Sequence, residues 1–246
     1  MFHNTLMPYV ERRNINMENM SDFQQFLKTE IKELYVAFID ILGYKDKIKR
    51  CADLHDVGIL NFILNKNKKD AKRDLIIFYF SDCMYIIGND INKILELIAF
   101  IQIQLLDASE IQITAEKQSY KDINLVRGGI TKGEILVNEQ LNILLGSAVN
   151  KAYELESMEA KYPRIILDTA ISWDNVLEQY IKKDRDGVMY FDFIQYLQKH
   201  ENYKFDKKKK QRFIEFIQEY KKKSKDDKIK EKYRWFEKYL DSVCAY

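Results

Sequence analysis

FIDILGYKDKI, residues 38–48, decides the fold. Phe38, Ile39, Ile41 and Leu42 make a short apolar run, extended backward by Tyr35–Ala37 and ended by Gly43, which reads as a buried strand. Asp40 sits inside that run. A lone carboxylate in a buried strand is costly unless something pairs with it. Downstream, DLIIFYFSDCMYIIGND (74–90) reads as two apolar strands around a tight Ser81–Asp82 turn, a hairpin with no glycine to mark it. Asp40 and Asp82 then stand at the ends of strands that could lie side by side. Unpaired, the two carboxylates would repel each other. A divalent cation that prefers hard oxygen ligands, Mg²⁺ or Mn²⁺, removes the repulsion and commonly holds phosphates as well. A strand-end cap at Asp40 and ordinary Ser-Asp turn chemistry explain the same residues without a metal.

Working outward, SDFQQFLKTEIKEL (21–34) reads as a short helix opening at Ser21, and residues 1–20 as a loose arm. Apolar residues at helical spacing predict helices over 45–65 and from about 91 to 107. NLVRGGITKGEILVN (124–138) is predicted as a hairpin turning at Lys132–Gly133. Residues 146–160 are predicted as a helix, and YPRIILD (162–168) as a strand with Pro163 at its start, where the missing N–H does least harm. Beyond 170, Tyr, Phe, Lys and Glu dominate at helical spacing. Amphipathic helices are expected over 207–223 and 228–243, the first carrying Phe213, Phe216, Ile217 and Tyr220 on one stripe. The expected organisation is an α+β domain over 35–170, preceded by an arm and short helix (1–34) and followed by a helical C-terminal extension (171–246).

Composition narrows the function classes. The chain of 246 residues is 46% apolar and 32% charged, a globular balance rather than a disordered one. Lys and Arg number 40 against 38 Asp and Glu, so net charge makes no case for nucleic acid. The lysine runs at 207–210 and 221–223 are interleaved with acids and read as solvated helix faces, so no nucleic-acid partner is expected. Three cysteines without a CxxC suggest neither a disulfide framework nor a zinc site. The longest apolar stretch, 94–106, is broken by Glu96, Gln102 and Gln104 and is too short to span a bilayer. The first twenty residues lack the apolar core of a signal peptide. A cytoplasmic location with no membrane partner is therefore expected.

Four segments in chain order carry a resemblance: FIDILGY (38–44), SD (81–82), RGGITKG (127–133) and GSAVNKAYELE (146–156). Together they resemble the catalytic domain of class III nucleotide cyclases, whose motifs read F-x-D-I-x-G-F, G-D, R-x-G-I-x-x-G and G-x-x-V-N-x-A-x-R-L. Phe38, Asp40, Ile41 and Gly43 match the first, with Tyr44 for Phe. Asp82 matches the second, with Ser81 for Gly. Arg127, Gly129, Ile130 and Gly133 match the third, and Gly146, Val149, Asn150, Ala152 and Leu155 the fourth. The resemblance implies a ferredoxin-like βαββαβ domain holding two Mn²⁺ or Mg²⁺ ions on Asp40, Asp82 and the Ile41 carbonyl. It implies nucleotide contacts from Phe38, Leu42, Gly43, Tyr44 and Arg127, with phosphate on the Leu42–Tyr44 amides. It also implies a homodimer with active sites at the interface, where Asn150 reaches across to orient the ribose.

The departures from the family pattern are as informative. Its transition-state Arg falls four positions after the Asn, where this chain has Glu154. A carboxylate cannot stabilise developing phosphate charge, so Arg127, Lys132 or Lys151 would have to replace it, or catalysis is weak; Arg127 is equally read as structural. The positions at which adenylate cyclases read adenine are Ile76 and Ile143 here, and a site lacking those hydrogen bonds should not prefer adenine. Tyr44 and the run Phe78–Phe80 either narrow the base pocket or belong to the core. Within the family, the chain most resembles the pyrimidine cyclases of bacterial anti-phage (Pycsar) systems. The likeness lies in the Ile-Leu-Gly after Asp40, the Ser-Asp hairpin, Ala152, Tyr153, Leu155 and Glu156, and Tyr162–Ile165. That resemblance implies conversion of UTP to 3′,5′-cyclic UMP and pyrophosphate, with CTP to cyclic CMP as the alternative, and a separate effector activated by the cyclic nucleotide. A catalytically silent nucleotide-sensing or dimerisation module is the alternative of another class.

Overall fold

The strand expected around FIDILGY is present and longer than its apolar run. β1 spans Ile31–Ile41 in the computed structural model, which describes residue 24 and residues 27–50, 54–70, 74–114, 123–173 and 175–243. The predicted helix at 21–34 is therefore overruled over its last turn: Ile31 pairs with Leu136 and Leu34 with Gly133 on a neighbouring strand. Cross-strand pairing outweighs the weak local helical preference of KTEIKEL. Ser21 and the arm 1–20 lie outside the described residues.

After β1 come α1 (Tyr44–Arg50), α2 (Leu54–Asp70), β2 (Ile76–Phe80), β3 (Cys83–Gly88), α3 (Ile91–Thr114) and β4 (Val126–Asn138). The sheet order places these strands as β2-β3-β1-β4, all antiparallel. This is the expected ferredoxin-like βαββαβ arrangement in an α+β fold. The hairpin at Ser81–Asp82 forms as predicted, with Ser81 at φ 53° taking the conformation a glycine would have taken.

β4 corrects the sequence reading. Lys132 and Gly133 do not turn; β4 runs unbroken for 13 residues, paired along β1 from Ile31↔Leu136 to Ile41↔Val126. Gly133 serves close packing instead, since a Cβ there would come within 3.3 Å of Ala148. The chain reverses later, at Asn142 (φ 52°), into β5 (Ile143–Gly146), which pairs only with β4. Then follow α4 (Ser147–Glu154), a π-helical turn at Leu155–Glu159, and β6 (Ile165–Leu167), parallel to β4.

The C-terminal region holds the expected helices and a hairpin that the periodicity did not show. After α5 (Asn175–Glu178), β7 (Ile181–Lys183) and β8 (Met189–Phe191) extend the same sheet through β8–β6 pairing. Three-residue strands carry no legible period. α6 (Phe193–His200), α7 (Lys207–Lys223) and α8 (Asp227–Ser242) follow. Asp206 and Asp226 cap the last two by accepting from the Lys209 and Lys228 amides.

Alternation along β1 builds two cores. Ala37, Ile39 and Ile41 face α2 and α3 in a cluster that also takes in Phe213, Ile217, Phe236 and Leu240 of the last two helices. The C-terminal helices thus share the main core. Val36 and Phe38 face the other way, against Phe78, Val149 and Ala152 under α4. A strand covered on both faces loses its polar alternation, which is why 35–42 reads as one apolar run. No described helix is long and apolar enough to cross a membrane. Cys83 is a free thiol, while Cys51 and Cys244 lie outside the described residues.

Candidate active site

β1 delivers Asp40 to the Phe38 face of the sheet, next to its end. In register it lies between Cys83 on β3 and Arg127 on β4. Asp82 sits one residue before Cys83, and its carbonyl accepts from the Ile41 amide at 3.1 Å. The hairpin thereby fastens the Asp82 turn to the residue beside Asp40, and the two carboxylates share one corner.

Arg127 answers the question of what pairs with Asp40. Its guanidinium lies 3.4 Å from Asp40 Oδ2, and its Nε 2.6 Å from Glu156 Oε1. Glu156 reaches this point because the π-helical turn after α4 carries it back under β4; the close approach is made possible by Gly129, where a Cβ would overlap Leu155 and lie 2.9 Å from the Ala152 carbonyl. One cation between two carboxylates leaves the corner negative. Burial, Glu156 and Asp82 together push Asp40 up to about 7, against the pull of Arg127. Burial and then Asp82 and Asp40 push the Cys83 thiol up to about 11. Burial raises Glu156 as well.

The loop after β1 is pinned from behind. The Leu42 amide donates to the Leu125 carbonyl at 2.8 Å, so Leu42 cannot present its N–H to a phosphate as expected. Gly43 takes φ 72°, a conformation that only glycine adopts without strain, and starts α1 by accepting from the Asp46 and Lys47 amides. The buried Lys47 ammonium donates to the Ile123 carbonyl at 3.0 Å and to Asn124 Oδ1 at 2.8 Å. These bonds tie the loop to the start of β4.

The remaining expected residues divide. Ile41 is fully buried beneath the corner. Phe38 is buried with its ring 4.6 Å from that of Tyr85 and 5.5 Å from that of Tyr153, on the same face as Asp40. Tyr44 is turned inward: it is buried in the main core and its hydroxyl donates to Asn61 at 3.1 Å, so it does not narrow a base pocket. Phe78 is core, but Phe80 is exposed. Asn150 is exposed on α4, whose Ala148, Val149 and Ala152 are buried against the sheet. Glu154 is exposed. Of the cations offered in its place, Lys132 lies 3.8 Å from Glu33, Lys151 3.7 Å from Glu159, and Arg127 between Asp40 and Glu156.

Two residues of the corner escaped sequence reasoning. Glu156 ends the GSAVNKAYELE segment, but nothing in its spacing shows that a π-turn brings it to Arg127. Lys232, on α8, feels Arg127, Glu156 and Asp40; among forty basic residues no local signal marks it. The donor set of Asp40, Asp82 and backbone carbonyls, in a corner short of positive charge, fits a hard divalent cation. Among the described residues no group of three or more His, Cys, Asp or Glu side chains is placed to hold a metal alone, so substrate oxygens would complete such a site.

No protein-family model matches the chain, and no curated protein matches it. Solved structures do. The monomeric guanylyl cyclase domain of the RhoGC fusion protein from the aquatic fungus Blastocladiella emersonii is 17% identical, covering 66% of this chain and 96% of its own, with a TM-score of 0.47. A bacterial light-regulated adenylyl cyclase is 17% identical, covering 69% and 95%, with a TM-score of 0.48. An adenylate cyclase from Trypanosoma brucei in its monomeric state is 13% identical, covering 64% and 87%, with a TM-score of 0.45.

Proposed function

We propose that this chain is a class III-type nucleotide cyclase that acts on a pyrimidine ribonucleoside triphosphate, converting UTP to 3′,5′-cyclic UMP and pyrophosphate. The observation that carries the proposal is the meeting of Asp40 and Asp82 in a negative corner beside the Gly43 loop. The order of the four sequence motifs supports it. Asp40, Asp82 and the Ile41 carbonyl would hold Mn²⁺ or Mg²⁺. When bound, the ions neutralise the triphosphate and favour ionisation of the ribose 3′-hydroxyl.

The chain's own groups do the rest. Arg127, braced by Glu156, fixes the Asp40 carboxylate in place. With the Leu42 amide spent, phosphate contact from the loop falls to Gly43 and Tyr44 N–H groups. Asn150, facing outward, serves the site of a second copy, where it would orient the ribose. Large apolar side chains of the same segment, Leu145, Tyr153 and Met158, are exposed, as a homodimer face requires. The 3′-oxygen forms its bond to the α-phosphorus as the bond to the bridging oxygen of the β-phosphate breaks. Pyrophosphate leaves and the hydroxyl proton passes to solvent. Ile76 on β2 and Ile143 on β5 offer no hydrogen bond to a purine. The product would signal to a separate effector, in anti-phage defence.

One observation favours a silent nucleotide-sensing module instead: Glu154 in place of the transition-state Arg. Incubation of the purified protein with each of the four labelled ribonucleoside triphosphates and Mn²⁺ separates the readings. Cyclic UMP from UTP, lost in Asp40→Ala and Asp82→Ala by roughly 10²-fold or more, is the expected result. Cyclic CMP from CTP would change the substrate. A cyclic purine would overturn the pyrimidine reading, and no product from any substrate the cyclase reading.

A further inference from the structure

The last two helices do not stand apart from the candidate site. A cavity of about 630 Å³ lies between the Leu42–Gly43 loop and the turn that joins α7 to α8. Lys225, Lys228 and Lys232 line it from the helical side. The acids on its wall are largely engaged. Asp226 Oδ1 accepts from the Lys228 amide at 2.8 Å, and Asp46 lies 3.7 Å from Lys49. The Lys47 ammonium is bonded to Ile123 and Asn124. Lys232 is half-buried and makes no ion pair or hydrogen bond with a described residue. It lines the cavity and lies within electrostatic reach of Arg127, Glu156 and Asp40.

A half-buried ammonium within the field of a second cation is unfavourable. Burial, then Arg127, lower the Lys232 pKa, and Asp226, Glu156 and Asp40 only partly restore it. Such a group gains most from an anion. The loop across the cavity is the one that the cyclase reading gives to phosphate. We propose that the C-terminal helix pair is part of the nucleotide site in cis, with Lys232 contacting the triphosphate and Lys225 and Lys228 at the rim drawing it in. Lys232 thereby supplies positive charge that Glu154 cannot. This inference rests on reading the Asp40 corner as a triphosphate site, and it adds a phosphate-binding residue that the four motifs do not contain.

The test uses inorganic tripolyphosphate with Mn²⁺ as the probe, titrated calorimetrically into full-length protein, so that it does not depend on turnover. The wild type is expected to bind it. Lys232→Met should weaken binding roughly tenfold, the effect of losing one charge-assisted contact, while Lys232→Arg retains most of it and thermal melting is unchanged in both. Lys225→Ala/Lys228→Ala should weaken binding less, with a stronger salt dependence of the loss. No binding by the wild type, equal binding by Lys232→Met, or equal loss in Met and Arg variants with lowered melting would each overturn the inference. Wild-type binding that Lys232→Met weakens, in a protein that forms no cyclic nucleotide, would sustain it and sink the cyclase reading.

Discussion

Arg127 Nε stands 2.6 Å from Glu156 Oε1 while its guanidinium also reaches Asp40 at 3.4 Å. The arginine is shared, so neither carboxylate is fully neutralised, and Glu156 raises Asp40 through space. Removing that negative charge should return Asp40 toward its ordinary range. In Glu156→Gln the acidic limb of Mn²⁺ binding should move to lower pH by about one unit, because Asp40 then loses its proton earlier. Calorimetric titration with Mn²⁺ between pH 5 and 8 measures this, and an unmoved limb would mean that Glu156 does not act on Asp40.

The same pKa makes metal-free stability depend on pH. Asp40 titrates at about 7 in the fold and near 3.8 when unfolded. Between these values the folded state keeps a proton that the unfolded state has released, so stability falls as pH rises toward 7. The loss, on the order of 2 kcal/mol after the coupling to Arg127 is allowed for, should be smaller in Asp40→Asn, which cannot ionise. Urea unfolding in EDTA at pH 5, 6, 7 and 8 gives both curves; parallel curves would refute the assignment.

Asn150 is exposed on α4, and the cyclase reading gives it to the site of a second copy, so Asn150 and Asp40 should complement each other between chains. Asp40→Ala and Asn150→Ala are each expected to be nearly inactive in cyclic-nucleotide synthesis. Mixed after co-expression, they should recover up to about half the wild-type rate per mixed dimer, because one interface site is then intact. No recovery despite mixed-dimer formation would place Asn150 in the site of its own chain.

Much of this corner was legible because its chemistry is local. A carboxylate inside an apolar run, a Ser-Asp reversal between two apolar strands and a glycine after β1 each announce themselves within a few residues. What failed was long-range. Ile31–Leu34 looked helical and became strand because β4 extends far enough to pair with it. Lys132–Gly133 looked like a turn because glycine has two uses, and here α4 needed the space. Tyr44 looked like a pocket wall, but the left-handed Gly43 turns it into the core. Glu156 and Lys232 depend on a π-turn and on the docking of the last helix, neither of which has a sequence period.

Gly129 should tolerate no side chain. In Gly129→Ala the new methyl meets Leu155 and the Ala152 carbonyl, both held by the α4–π-turn backbone. Overpacking of this kind costs about 2–3 kcal/mol, and any relaxation must move Glu156 away from Arg127. The variant should therefore move the acidic limb of Mn²⁺ binding to lower pH, as Glu156→Gln does, even under conditions where circular dichroism shows it folded. An unmoved limb in a folded Gly129→Ala protein would show that the turn is not what positions Glu156.

Arg164 links the YPRI segment (162–165) to the last helix and so provides a test of how α8 is held. Its side chain is wholly buried, paired with Asp184 and Asp186, and stacked under Tyr162 and Trp235. Trp235 in turn donates from Nε1 to Asp184 at 2.6 Å. Arg164→Met leaves the partly buried Asp184 and the exposed Asp186 without their buried cation and should cost about 1–3 kcal/mol in urea unfolding. Arg164→Lys should rescue little, since a point charge cannot bridge two carboxylates as the planar fork does. Because Lys232 lies one turn before Trp235 on α8, tripolyphosphate binding should weaken in the same variants at temperatures where they remain folded. Loss of stability with unchanged binding would separate the anchoring of α8 from the site it borders.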